Sequence, residues 1–197
     1  MFMRFRTLPA LDRLLNHNDI EAVFENKKYQ MFLPQSLPLI DQPDADTRCG
    51  YRGDETTVAV LDTGVNYNRS EFGTCPGENC KVVYTQDFAP EDNTLDDNGH
   101  GTNVAAIVIG VAPDTQIAAL DVFDGSTAWN SDINLAIDWT INNKELYNIV
   151  AINLSLGSGE YTKPCDITFP PRLKDPLYDS INSARNAGIM TVAASGN

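Results

Sequence analysis

From Thr56 to Asn197 the chain alternates short β-rich runs with longer stretches of helical spacing, and few folds accommodate that rhythm. The runs Thr57–Leu61, Lys81–Thr85, Gln116–Leu120, Ile149–Asn153 and Ile189–Ala193 read as strands. Each is apolar on both faces, as a strand must be when helices cover both sides of a parallel sheet. Between them, His100–Ile109, Ser131–Asn143 and Asp175–Ala187 read as helices. Ser131 and Asp175 suit the N-cap position, and Gly188 suits a C-terminal stop. Such alternation implies right-handed crossovers and an α/β three-layer sandwich with a mostly parallel central sheet.

The first 55 residues behave differently. Pro9–Asn16 carries Leu11, Leu14 and Leu15 at helical spacing, behind a proline that a first turn tolerates. Ile20–Phe24 alternates as a strand, and Gln30–Arg48, with three prolines and little periodicity, reads as an extended connector. The chain therefore divides into a small α+β segment (1–29), a connector and arm (30–55) and the α/β domain (56–197).

Charge and hydropathy remove whole classes of function. With 14 Lys+Arg against 27 Asp+Glu the net charge is −13, which repels phosphate backbones and argues against a nucleic-acid partner. No apolar run approaches the roughly 18–20 residues of a membrane span, so no membrane partner is expected. Met1-Phe-Met-Arg-Phe-Arg6 lacks the apolar stretch and cleavage site of a secretory signal. Either the protein stays inside the cell or its true start lies upstream. Of the four cysteines, Cys75 and Cys80 bracket turn-forming residues and would pair in an oxidising compartment; unpaired thiols are the alternative. Cys49 and Cys165 have no assigned partner.

Three polar positions sit where strands end or helices begin, the place where α/β sheets gather ligands. Asp62 directly follows the first strand, so a firmly held carboxylate could orient a histidine there. His100, flanked by Gly99 and Gly101, is a candidate proton shuttle, since imidazoles as a class titrate near neutrality. The other histidine, His17, reads as surface. Asn197 ends the run Val192-Ala-Ala-Ser-Gly-Asn197, and an amide there could donate to a developing oxyanion. Each taken alone is bland: an N-cap, a helix-start histidine, a turn asparagine.

Together they are not. Val58-Ala-Val-Leu-Asp-Thr-Gly-Val65 and Asp97-Asn-Gly-His-Gly-Thr102 resemble the aspartate and histidine blocks of the subtilisin-like serine peptidases, in that family's order. Gly110-Val-Ala-Pro113 resembles the turn after the histidine helix, Ile152-Asn-Leu-Ser-Leu-Gly157 the substrate-binding strand, and Ala193-Ala-Ser-Gly-Asn197 the oxyanion-hole block. The resemblance implies that Asp62 orients His100, that His100 is general base and then acid, and that Asn197 stabilises the oxyanion. It implies that Ser155, Leu156 and Gly157 pair with the backbone of a polypeptide substrate. Ala193, Ala194, Ser195 and Gly196 would form a wall of the pocket before the scissile bond, favouring large apolar side chains.

The sequence departs from the family at Asn103, where a second histidine is usual, and at Ser158, where glycine is usual. More important, no Gly-Thr-Ser-x-Ala block is present, so the nucleophile is missing; Ser158 and Ser195 stand in the wrong context. The family places that serine on a helix packed against the sheet. Without it the Ile149 and Ile189 strands should be partly uncovered, the Ile189 strand left as an edge, and the isolated chain prone to aggregate. Residues 1–29 resemble part of a subtilase inhibitor propeptide, which would make the chain's own propeptide an intramolecular partner and Met1 an internal start. Export would then explain a Cys75–Cys80 pair and place the protein outside the cell. The catalytic chemistry requires no cofactor, while Asp87, Glu91, Asp92, Asp96 and Asp97 form an acidic loop of a kind in which subtilases often bind structural calcium. A solvated loop is the alternative. The competing function is a catalytically silent subtilase fold that binds extended peptides. A small-ligand α/β domain is disfavoured by the lack of a Gly-rich phosphate loop. Asn68-Arg-Ser70 is a glycosylation sequon, a pattern too common to decide anything alone.

Overall fold

A computed structural model describes residues 40–90, 92–157 and 176–195. The expected Pro9–Asn16 helix and Ile20–Phe24 strand, together with His17, Glu91, Ser158, Cys165, Asp175, Gly196 and Asn197, lie outside the described residues. The elements in chain order are α1 (Gln42–Cys49), β1 (Thr57–Asp62), β2 (Val82–Asp87), α2 (His100–Val111) and β3 (Gln116–Asp121). Next come β4 (Phe123–Asp124), β5 (Thr127–Ala128), α3 (Asn130–Asn142), α4 (Lys144–Tyr147), β6 (Ile149–Leu154), α5 (Pro176–Asn186) and β7 (Met190–Ala193).

All five expected strands form one parallel sheet in the order β2-β3-β1-β6-β7. Strand alternation sends successive side chains to opposite faces. Val60, Ile117, Ala119 and Val82 pack with Ala105 of α2 on one face. Ala59, Leu61, Ala118, Leu120, Ile152 and Leu154 pack with Ile133, Ala136 and Ile137 of α3 and Ala184 of α5 on the other. The architecture is thus the α/β three-layer sandwich. Each fully buried Leu or Ile contributes about 1.5–3 kcal/mol relative to exposure, which makes the two apolar clusters its main stabilising force.

Local chemistry fixes the ends. Gly188 stops α5 as expected: its N–H bonds to Arg185 O at 2.9 Å, and Ile189 N–H to Ala184 O at 3.0 Å. Two readings need correction. Ser131 is not an N-cap, because α3 begins at Asn130 after Trp129, and the Ser131 hydroxyl bonds to Asp132 instead. The stretch Gln30–Arg48 is not extended throughout, since α1 occupies its last part. Pro43 sits in the first turn, Asp44 favours the N-terminus, Arg48 the C-terminus, and Gly50 caps the end. No residue of α1 is buried, so it left no apolar periodicity to read. It is tied to the domain by polar contacts: Gln42 Nε2 to Val111 O at 3.0 Å, and Arg52 to both Asp46 and Asp114.

Among the described residues β7 is an edge strand, and its outward side chains are uncovered: Met190 is 68% and Val192 50% exposed. Both lie on the α2 face, in register with Ala151 and Asn153 of β6. The expected bare face is therefore present. Self-association of the isolated chain should rise with concentration in sedimentation velocity and fall in a Val192→Lys variant, since an edge lysine opposes strand pairing.

Candidate active site

The carboxyl ends of the strands carry the site. Asp62, the last residue of β1, is 1% exposed, and its Oδ1 lies 2.7 Å from His100 Nδ1 at the start of α2. The Thr63 N–H also donates to that oxygen at 2.8 Å. A carboxylate only accepts, so Nδ1 carries the proton and Nε2 is left with a lone pair. The His100 side chain is 52% exposed, against a buried partner. One nitrogen is anchored inside and the other faces outward, which is what a proton shuttle needs.

The start of α2 is held by an unusual set of caps. Its N-cap, Gly99, has no side chain to offer and a φ of 90°. Orphan N–H groups are satisfied from elsewhere: His100 by Asn98 Oδ1 (3.0 Å), Gly101 by Thr63 Oγ1 (3.0 Å) and Thr102 by Asp96 Oδ2 (2.9 Å). Asp96 is the hub, also accepting from Thr63 Oγ1 (2.8 Å), Gly99 N–H (2.8 Å) and the Thr102 hydroxyl. Burial acts to raise its carboxyl, but hydrogen bonds from Thr102, Thr63 and the backbone outweigh that and hold it below the usual range. Asp96→Ala should cost about 2–3 kcal/mol at pH 7 through the lost cap and unsatisfied donors, read as a lower urea midpoint at constant slope. Because the folded pKa is depressed, that contribution exists above the unfolded value and fades as pH falls through the folded one.

Gly101 permits the close approach of helix and strand. A Cβ there would stand 2.1 Å from Gly64 O and 3.2 Å from Asp62 Oδ1. The proposed substrate segment Ser155-Leu156-Gly157 leaves the end of β6, next to β1, while Ala194 N–H bonds to Leu154 O at 3.0 Å. Ala193, Ala194 and Ser195 are exposed and emerge beside that segment. Asp62, His100, Ser155–Gly157 and Ala193–Ser195 thus share one end of the sheet. Cys75 and Cys80 form a disulfide, and Cys49 is an exposed thiol.

Of the acidic loop, Asp87, Asp92, Asp96 and Asp97 are among the described residues and Glu91 is not. Both oxygens of Asp96 are committed to the cap, and among the described residues no cluster of three His, Cys, Asp or Glu converges as a metal requires.

Sequence reading missed Asp121. It ends β3 in register with Asp62 and with Asp87 of β2, so three carboxylates stand in a row on one face. Asp121 lines a cavity of about 280 Å³ behind Gly64, together with Tyr67, Asp87, Thr94 and Leu95. Burial, reinforced by the charges of Asp97, Asp87 and Asp92, pushes its carboxyl up to about 7 against one opposing bond from Phe123 N–H. A raised carboxyl pKa means the folded state holds a proton that the unfolded state releases. Stability is therefore lost as pH rises from about 4 to about 7, by at most about 4 kcal/mol. Asp121→Asn should melt higher than the parent at pH 8 and alike at pH 4. The signal in the sequence was an acid closing an otherwise apolar strand, as at Asp62.

Comparison with known proteins bears directly on this site. The subtilase family profile, Peptidase_S8, matches residues 53–197, which include both Asp62 and His100. The chain is a subtilase. It is 32% identical over 216 residues to an alkaline protease of Alkalihalobacillus alcalophilus, covering 98% of this chain and 50% of that one. It is 34% identical over 176 residues to Subtilisin Savinase of Lederbergia lenta, covering 84% and 56%. Among solved structures, the S41 psychrophilic protease superposes with a TM-score of 0.54 at 29% identity, covering 74% of this chain and 47% of that one. This subtilase chain spans about half the length of the curated relatives it matches. Among its described residues no helix is long and apolar enough to cross a membrane.

Proposed function

We propose that this chain supplies the acid–base half of a subtilisin-type serine endopeptidase, the serine coming from sequence beyond Asn197. The Asp62–His100 hydrogen bond, 2.7 Å long between a buried carboxylate and a half-exposed imidazole, carries the reading. Nε2 takes the proton of the serine hydroxyl as it attacks the scissile carbonyl, and returns it to the leaving amine. Asp62 holds the ring in the tautomer with Nδ1 protonated and offsets the charge of the imidazolium. Asn197 donates to the oxyanion, and Ser155–Gly157 pairs with the substrate backbone.

Residues 1–29 act as part of an inhibitor propeptide, and the protein works outside the cell. The alignment with the alkaline protease runs over 98% of the chain and so takes in the N-terminal segment, while the Cys75–Cys80 disulfide suits an oxidising compartment. A serine-directed fluorophosphonate tests the reading. The chain extended through a downstream Gly-Thr-Ser block should be labelled, and a His100→Ala form should not. Absence of labelling in the extended chain, or a stop codon after Asn197, would favour the silent peptide binder instead.

A further inference from the structure

The chain contains two Asn-x-Ser sequences, Asn68-Arg-Ser70 and Asn153-Leu-Ser155, and the fold treats them oppositely. Asn68 lies in an exposed turn after β1, and its neighbours Arg69, Ser70 and Glu71 are exposed as well. The turn is held by Asn66, whose Oδ1 accepts the Asn68 N–H at 3.2 Å. The Asn68 side-chain amide therefore has no structural task, and among the described residues it has no hydrogen-bond partner. Asn153 sits inside β6, between Val60 of β1 and Val192 of β7, and is half-buried. Its Nδ2 donates to Ser155 Oγ at 2.9 Å, so the acceptor nitrogen is bound to the hydroxyl of its own sequon. The Cys75–Cys80 disulfide, a few residues beyond Asn68, fits the oxidising secretory route on which N-glycosylation occurs.

We propose that Asn68 carries an N-linked glycan in the folded chain and that Asn153 does not. In the transfer, Asn68 Nδ2 bonds to the anomeric carbon of a lipid-pyrophosphate-linked oligosaccharide. The bond from that carbon to the pyrophosphate oxygen breaks, the lipid pyrophosphate leaves, and the amide gives up one proton. The glycan then projects into solvent from a surface turn, where nothing needs to move to admit it. At Asn153 the same attachment would break the bond to Ser155 and force a bulky group against the central sheet. The assignment stands apart from the peptidase reading, because neither asparagine touches Asp62 or His100.

The test is to secrete the 197-residue chain from a eukaryotic host behind a signal sequence. Peptide-N-glycosidase treatment in ¹⁸O water, followed by peptide mass spectrometry, marks each occupied asparagine. One labelled site is expected, at Asn68. Asn68→Gln and Ser70→Ala should each abolish the glycosidase-sensitive gel shift, and Asn153→Gln should leave it unchanged. Chain retained in the cell is mapped in the same way, so poor secretion does not block the readout. An unmodified Asn68 beside a glycosylated reporter in the same cells, or a glycan mapped to Asn153, would overturn the proposal.

Discussion

Asp62→Asn should lower kcat by about 10⁴-fold in the serine-containing enzyme, the scale seen when an acid that orients a catalytic histidine becomes an amide. The substitution keeps size and burial, so the loss is electrostatic and tautomeric rather than steric. An asparagine can present its NH₂ to Nδ1, which then accepts, and the proton moves to the nitrogen that should be the base. KM should change little, because Asp62 is buried behind the imidazole. Steady-state kinetics on one peptide substrate separates the two parameters. A fall of less than tenfold would mean that the carboxylate does not set the tautomer.

Gly101→Ala is expected to be among the most damaging single methyl groups. The added carbon would meet Gly64 O at 2.1 Å, a backbone atom that cannot swing away as a flexible side chain could. Helix α2 must retreat, and the bonds from Thr63 and Asp96 to its first turn must stretch or break. Overpacking of this kind costs about 3 kcal/mol, or roughly 6–12 °C in melting temperature for a chain of this size. His100 moves with the helix, and an imidazole displaced by about 1 Å loses on the order of 10² in rate. Differential scanning calorimetry reads the first effect, and an unchanged melting temperature would contradict the close packing of helix on strand.

The parallel sheet was readable because its strands are apolar on both faces, a pattern that a strand open to solvent on one side does not show. Asp62 and His100 were readable because polar residues interrupt that pattern at strand and helix ends. What escaped, Asp121 apart, had no such contrast. Helix α1 buries nothing, so it has no periodicity, and its one proline, Pro43, looked like a breaker although it lies in a permissive first turn. The β4–β5 hairpin is too short for alternation to register. Asp96 looked like one acid among several in a loop, and its role as the cap that aims His100 depends on contacts to Thr63, 33 residues earlier. Asp121 was hidden for a related reason: its environment comes from β2 and from the loop before α2, not from its own strand.

Acid–base catalysis by this chain requires His100 to be anchored through Nδ1, with Nε2 free to take a proton. Nitrogen-15 NMR of histidine-labelled chain reads this directly, since only His17 and His100 contribute. In its neutral form His100 should show the Nδ1–H tautomer with a slowly exchanging proton, and both features should vanish in Asp62→Asn. Predominant Nε2–H tautomer in the parent chain, or a spectrum indifferent to Asp62→Asn, would contradict it.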